Sequence, residues 1–366
     1  MADVLVVKLG AIGDLVMATP ALQAVRERHH GSKVVLLTGT WSAPAVAGNP
    51  SIDETIVVDE RIFWKPDPGA LLRLLCTLRR RRFQTAYIMH WSPLFALFAA
   101  AAGIPERIGF RRGRRGWFLT QSAGFTEGVP GTHAIAQYRA LVTAAPGGDV
   151  PRAVFMLSDQ EREWAGAWCA AHGLGADRVL IGVAPGGGDN PRSSMPLRRW
   201  PIGRFRETVR LLLAADPALA VILLGGARER ELCETVCHGL DPVRVTVAAG
   251  GLSLRESAAV LSRCACLLCN DSGLMHLAGA LDVPTVAVFG PTAPWDKLPP
   301  GPLHRALYAP RACSPCYRFG RFPGCQDPGC LRDIRADAAA QAVHEALAAQ
   351  RTPLTTPSKN CRTTIP

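Results

Sequence analysis

The sequence predicts an α/β chain made of two successive parallel-sheet units. Three observations lead there. Short, continuously apolar runs alternate with apolar-periodic helical segments, the pattern of parallel strands with crossover helices on both faces. The alternation lapses near residues 150–178 and then restarts. The chain has 366 residues, 48% of them hydrophobic, which is more than one ordinary core needs and enough for two.

The first unit opens on Val4–Val7, a run suited to a strand buried on both faces. A Gly-containing turn follows, then a helix over Leu15–Arg28. Strands are expected at Val34–Thr38, Glu54–Val58 and Ala86–Met89, with a helix over Leu71–Arg81. Pro93–Ile104 is apolar but spans only about twelve residues where a membrane helix needs ~20, so it reads as a buried or interfacial helix. Ser158–Ala171 is a helix with Ser158-Asp159 as its start and Gly173 as its stop.

The second unit repeats the scheme. Strands are expected at Val179–Ala184, Ala220–Leu224, Ala265–Cys269 and Thr285–Phe289. Helices are expected over Ile202–Ala215, Leu254–Ser262 and Gly273–Leu281, and Ala336–Gln350 closes the fold. The expected boundaries are a first domain over 1–165, a second over 175–335, the closing helix over 336–350 and a Thr/Pro-rich disordered tail over 351–366. Such sheets bind ligands at the carboxyl ends of their strands, so two facing sheets place a crevice between the domains.

Charge narrows the partners. Lys plus Arg number 41 against 30 for Asp plus Glu, a formal net charge of +11. Part of the excess is local, in the run Arg79–Arg82 and in Arg107, Arg111, Arg112, Arg114 and Arg115. Basic clusters attract phosphate-rich partners, unless they are simply solvated surface. Nucleic acid is disfavoured because the arginines lack interleaved aromatics and no recognition motif appears. The N-terminus has no basic leader, and Lys8 and Asp14 interrupt its apolar run, which does not fit a signal peptide. Twelve cysteines in such a chain suit a reducing compartment such as the cytoplasm, with Cys264, Cys266 and Cys269 acting as small core hydrophobes.

Four segments carry chemistry. In Lys8-Leu9-Gly10-Ala11-Ile12-Gly13-Asp14, the glycines free a strand-to-helix turn whose amides can face an anion. The segment matches neither the dinucleotide fingerprint nor the Walker pattern. Asp14, on the first helical turn, is either a group at the crevice mouth or merely a partner of the helix dipole. In Pro185–Trp200, Gly186, Gly187 and Gly188 precede Arg192, Arg198 and Arg199, a set suited to a diphosphate or else a flexible surface loop. In Asn270–His276, a polar tetrad opens an apolar helix. The amides of Ser272 and Gly273 can face phosphate and Asp271 can accept from sugar hydroxyls, or the group only caps the helix. A nucleophile elbow is excluded because Asn270 occupies its first Gly position. Cys313, Cys316, Cys325 and Cys330 could hold a structural Zn or Fe, or be reduced cysteines in a tight loop.

Together these segments resemble glycosyltransferase family 9, the lipopolysaccharide heptosyltransferases. The markers are "VLVVKLGAIGDLVMATPAL" from Val4, "RIGF" at Arg107–Phe110, "RRWP" at Arg198–Pro201, "NDSGLMHLAGALDVPTVAVFGPT" at Asn270–Thr292 and "CSPC" at Cys313–Cys316. Their order covers Val4 to about Ala348. The resemblance implies a GT-B fold of two Rossmann-like domains, with acceptor on the first and ADP-heptose on the second. It implies an inverting displacement that needs no cofactor, on a lipopolysaccharide-core or similar anionic glycolipid acceptor, with the enzyme cytoplasmic and peripheral on the inner membrane. Asp14 matches the family's general base, and Lys8 a basic residue beside it. Lys8, Gly13, Arg107, Arg111 and Arg112 fall on the acceptor side. Gly186, Gly187, Arg198, Asp271, Ser272, Gly273 and His276 fall on the donor side. Three departures stand out. Arg198 replaces the usual Lys, Gly186-Gly187-Gly188-Asp189 replaces a Thr-rich loop, and the Cys loop lacks the His that often precedes its last cysteine. The rival readings are a non-hydrolysing sugar-nucleotide epimerase, which would convert donor without acceptor, and a non-catalytic nucleotide-sugar or glycan-binding protein.

Overall fold

The structure is a computed structural model that describes residues 3–111, 116–145, 149–175, 177–187, 194–319, 321–322 and 324–351. Its strands are β1 Val4–Val7, β2 Val34–Gly39, β3 Glu54–Val58, β4 Thr85–Ile88, β5 Glu106–Arg111 and β6 Gln121–Gly124, then β7 Val179–Ala184, β8 Leu219–Leu223, β9 Val245–Val247, β10 Cys266–Asn270, β11 Thr285–Phe289 and β12 His304–Tyr308. They form two six-stranded sheets, ordered β3-β2-β1-β4-β5-β6 and β12-β11-β10-β7-β8-β9. Every pairing within them is parallel. In both sheets the order of strand addition reverses beside the first strand, between β1 and β4 and between β7 and β10, where such sheets bind ligands.

The helices of the first half are α1 Ile12–Met17, α2 Thr19–Arg28, α3 Pro68–Arg81, α4 Pro93–Ala101 and α5 Ala134–Thr143. α6 Asp159–Ala171 follows, starting in a reciprocal Ser158–Glu161 capping box and packing against the second half. The second half adds α7 Ile202–Ala215, α8 Arg230–Cys237, α9 Leu254–Leu261, α10 Gly273–Ala280, α11 Pro294–Lys297, α12 Gly329–Arg332 and α13 Ala336–Arg351, the last lying along α7.

The expected single helix over Leu15–Arg28 is two helices meeting at Ala18. Pro20 has no N–H for the carbonyl of Val16, and the Thr19 hydroxyl donates to that carbonyl instead, at 2.7 Å. The Arg79–Arg82 run ends α3, where cations meet the negative end of the helix dipole, and Arg81 pairs with Glu54. The expected apolar helix is α4, whose Phe95, Ala96 and Ala99 are buried.

Alternation along the strands divides the core in three. Leu5 and Val7 face an outer cluster with Leu74 and Phe95, and Ile181 and Val183 face another with Phe205 and Val209. Val4 and Val6 face a third cluster, which runs unbroken across the seam to Leu267, Cys269 and Met275 of the second half. The two halves therefore share apolar packing, and the polar groups at the seam sit on a rigid base.

Candidate functional site

The first half brings Lys8 and Asp14 to the seam. Lys8 leaves the end of β1 and is buried, its ammonium 5.0 Å from the Tyr138 ring centre and 6.0 Å from that of Trp91. Burial pulls its pKa below the ordinary lysine value, while Asp14 and Glu60 oppose the shift. Gly10 sits at φ +114°, open to glycine but not to most side chains, and its N–H donates to Glu60 Oε1 at 3.2 Å. Asp14 lies in the first turn of α1. Burial would raise its carboxyl, but Lys8, then Lys297, His276 and Arg198, outweigh that and hold it below its ordinary value. Asp14 is thus a carboxylate at neutral pH.

The second half contributes the turn from β10 into α10. The Asn270 amide donates to the carbonyls of Pro185 and Gly186, both at 2.9 Å, and its oxygen accepts the Trp200 N–H at 3.0 Å. One buried side chain thereby ties three loops together. Arg198 reaches Asp271 at 3.5 Å and lies over Tyr317, 4.4 Å from the ring centre. Ser272 occupies the N-cap position of α10 yet makes no cap hydrogen bond, which argues against a purely capping role. Among the described residues, Ser272 Oγ, Asp271 Oδ2, Arg198 Nε and Thr292 Oγ1 are buried without hydrogen-bond partners. Buried polar atoms left open in this way suit an absent polar ligand. Burial drives the His276 imidazole down to about 4 against the pull of Asp271 and Asp14, so it is neutral at pH 7.

The halves meet closely here. A Cβ built on Gly13 would lie 2.4 Å from His276 Cδ2, and one on Gly273 would lie 3.7 Å from Ile12 Cβ. The start of α1 therefore faces the start of α10. Beside them, Lys297 Nζ lies 3.4 Å from Glu127 Oε1, the Gly128 N–H donates to Asp296 at 3.3 Å, and His133 Nε2 is 2.9 Å from the carbonyl of Leu298. A cavity of about 410 Å³ opens next to this contact. Ile12 and Trp41 border it from the first half, and Gly186, Gly225, Glu229 and Ser272 from the second. A Cβ on Gly186 would fall 1.8 Å from Glu229 Oε1, so a side chain there would have to displace the Glu229 carboxylate, and a Cβ on Gly187 would fall 2.6 Å from Arg199 Cγ.

The structure thus assembles Lys8, Gly13, Asp14, Gly186, Arg198, Asp271, Ser272, Gly273 and His276 around one crevice. Arg107 does not join them. It lies near the amino end of β5, away from the carboxyl-end crevice, and its guanidinium is committed to the carbonyls of Phe118, Ile104 and Pro105. This placement lends no support to the acceptor role expected of it. Arg111 ends β5 and is exposed, while Arg112, Gly188, Asp189 and the tail beyond Arg351, which itself ends α13, lie outside the described residues. The cysteines are neighbours, since Cys316 is raised first by burial and then by Cys313, Cys330 and Cys325. Yet Cys313 is exposed and Cys330 is buried in an apolar cluster, and no group of three or more His, Cys, Asp or Glu among the described residues could hold a metal. The four thiols as placed do not fit the Zn or Fe that their spacing allowed.

Sequence reading missed Asn270 as a tether, and it missed Glu127, His133, Asp296, Lys297 and Glu229. Asp296 and Lys297 carried one usable signal: they follow Gly290-Pro291 at the end of a buried strand, as Asp271 and Ser272 follow β10.

Comparison with known proteins agrees with this geometry. The family profile described as "Glycosyltransferase family 9 (heptosyltransferase)" matches residues 71–322. Lipopolysaccharide heptosyltransferase 2 of Salmonella typhimurium is 27% identical over 306 residues, 81% of this chain and 85% of that protein. The structure of the E. coli ADP-heptose lps heptosyltransferase II superposes with a TM-score of 0.76 at 22% identity, covering 96% of this chain and all (100%) of that one. A family 9 glycosyl transferase from Veillonella parvula superposes at 0.79, also at 22% identity, covering 95% of this chain and 98% of that one. Two facing parallel α/β domains with the crevice between them are the GT-B fold, and the chain belongs to glycosyltransferase family 9, the heptosyltransferase family.

Proposed function

We propose that the protein transfers heptose, or a related sugar, from an ADP-sugar to a lipopolysaccharide-core or similar anionic acceptor, with inversion at the anomeric carbon. The observation that carries this reading is the approach of Gly13 to His276, which sets Asp14 of one half opposite the Asp271–Gly273 turn of the other. In this reading the cavity bordered by Gly225 and Glu229 receives the nucleoside. The α10 amides and Arg198 receive the diphosphate, and Asp271 takes sugar hydroxyls. The acceptor enters past Lys8 and Arg111. Asp14 removes the acceptor proton as its oxygen attacks from the face opposite the nucleotide, since an alcohol attacks poorly until its proton has somewhere to go. Cationic side chains and helix amides take up the leaving diphosphate's charge, so no cofactor is called for. The basic surface suits an anionic acceptor presented at the inner membrane, and no helix among the described residues is long and apolar enough to cross one.

The test is calorimetry against ADP-heptose, ADP, and UDP and GDP sugars, followed by transfer assays with Asp14→Asn. Selective binding of ADP-heptose, kept in Asp14→Asn while transfer falls at least ~100-fold, is the expected outcome. Binding of UDP or GDP sugars alone would move the donor elsewhere. Conversion of donor without acceptor would favour the epimerase reading. Near-normal transfer by Asp14→Asn would overturn the base.

A further inference from the structure

Residues 316–319 form a strap between the halves. The N–H groups of Cys316 and Tyr317 both donate to the carbonyl of Pro291, just past β11, each at 2.9 Å. Two residues further on, the Phe319 N–H donates to Glu127 of the first half, and the Phe319 ring meets Trp91 edge-on with centres 6.3 Å apart. Tyr317 sits between these anchors, buried, with the Phe322 ring 5.1 Å from its own. Backbone hydrogen bonds on either side thus fix the Tyr317 ring in place. What the ring faces is Arg198. The guanidinium carbon stands 4.4 Å from the ring centre, within cation–π reach, and Nη1 lies 3.5 Å from Asp271 Oδ2. The side chains of Arg198 and Asp271 keep only 17% and 5% exposure, so little water competes at either contact.

We propose that Tyr317 is a positioning residue for Arg198: its ring is the platform that holds the guanidinium beside the β10–α10 turn, ready for the phosphates of an anionic ligand. Ring and carboxylate grip the guanidinium from two sides, while Arg198 Nε stays buried without a hydrogen-bond partner. An unused buried donor on a fixed group suits a ligand that has yet to arrive. A long side chain held in this way has already given up the rotamer freedom that binding would otherwise remove. An ammonium in the same place would be a point charge with no plane to orient, so the platform matters because residue 198 is Arg. The loop whose cysteine spacing suggested a metal thereby acts on the site through an aromatic ring. The consequence for donor binding rests on the reading of Arg198 as a diphosphate contact, but the fixing of the guanidinium does not.

Two measurements on the full chain test this. The first is nitrogen–proton NMR of protein carrying labelled arginine, with Arg198→Ala assigning the Nε–H signal. The ring current of Tyr317 should displace that signal, Tyr317→Phe should keep the displacement and Tyr317→Leu should abolish it. The second is calorimetry with ADP. Tyr317→Leu should weaken ADP binding roughly tenfold, and Tyr317→Phe by less than about twofold, because the platform needs the ring and not the hydroxyl. In the Arg198→Ala background, Tyr317→Leu should cost less than about twofold, because the group it positions is gone. An equal loss in that background would overturn the proposal, since the ring would then be supporting the loop and not the guanidinium. So would an Nε–H signal that Tyr317→Leu leaves in place, or ADP binding that Arg198→Ala weakens and Tyr317→Leu does not. If the signal moves as stated while neither Arg198→Ala nor Tyr317→Leu weakens ADP, the diphosphate reading of Arg198 fails and the positioning stands.

Discussion

Gly13 shows how much one missing side chain decides. Any Cβ there would collide with the His276 ring, which is itself buried between α10 and the seam. Gly13→Ala should destabilise the protein by about 1–3 kcal/mol and lower transfer more than tenfold, because α1 must back away from α10 and take Asp14 with it. Melting curves and steady-state kinetics check both effects. Pairing it with His276→Ala should relieve the steric part of the stability loss, and failure to do so would place the strain elsewhere. Asp14, Asp271 and Ser272 were readable in the sequence because each stands where a buried strand or Gly turn hands over to a helix. Lys297 and Glu127 were not, because their meaning lies in a pairing across the seam that no local pattern records.

Among elements, the β10–α10 turn depends on Asn270. Its side chain spans 84 and 85 residues of sequence to bind the Gly186 and Pro185 carbonyls, so it holds the glycine loop in register with the α10 N-terminus. Asn270→Ala would leave three backbone groups unpaired. It should cost about 2–3 kcal/mol in thermal or urea unfolding, and it should raise KM for the donor more than it lowers kcat. Equal loss in both would mean that the loop is not a donor contact. β1, β2, β4, β7, β8, β10 and β11 were legible as apolar runs, but β5, β6, β9 and β12 were not. β6, β9 and β12 are edge strands, flanked by a neighbour on one side only and short or polar in sequence, and β5 is interior but carries Glu106, Arg107 and Arg111 among its residues. The break between α1 and α2 needed knowledge that Thr19 would take the carbonyl Pro20 strands.

Across the whole molecule, Arg255 ties α9 to the first half. Its guanidinium donates to Glu161 Oε2 and Met156 O at 2.7 Å and to Pro44 O at 3.0 Å. These bonds hold the Glu161 carboxyl down at about 2, against an ordinary value of 4.5. A depressed carboxylate stabilises the fold above its unfolded pKa and loses that contribution as pH falls through the folded one. Arg255→Ala should therefore cost about 2 kcal/mol at neutral pH, and the difference from wild type should shrink between pH 4.5 and about 2. Melting temperatures over that range check it, and a pH-independent difference would assign the loss to packing on Phe155 instead. Because α9 and the 43–47 segment approach each other at this point, the variant should also loosen the seam that aligns Asp14 with α10.

Composition and pattern alone determined that this chain is two parallel α/β units with a crevice, because buried strands must be apolar on both faces and their turns need glycine. The same logic marked Asp14 and the Asp271–Gly273 turn, since helix starts at strand ends are where anions and sugars are met. Tertiary structure alone decided that Arg107 is spent on backbone carbonyls, that the four cysteines stop short of a metal site, and that Lys297 reaches across the seam to Glu127. The cross-seam contacts depend on distances of a few ångströms between segments far apart in sequence, 192 residues from Glu127 to Phe319, and hydrophobic periodicity carries no information at that range.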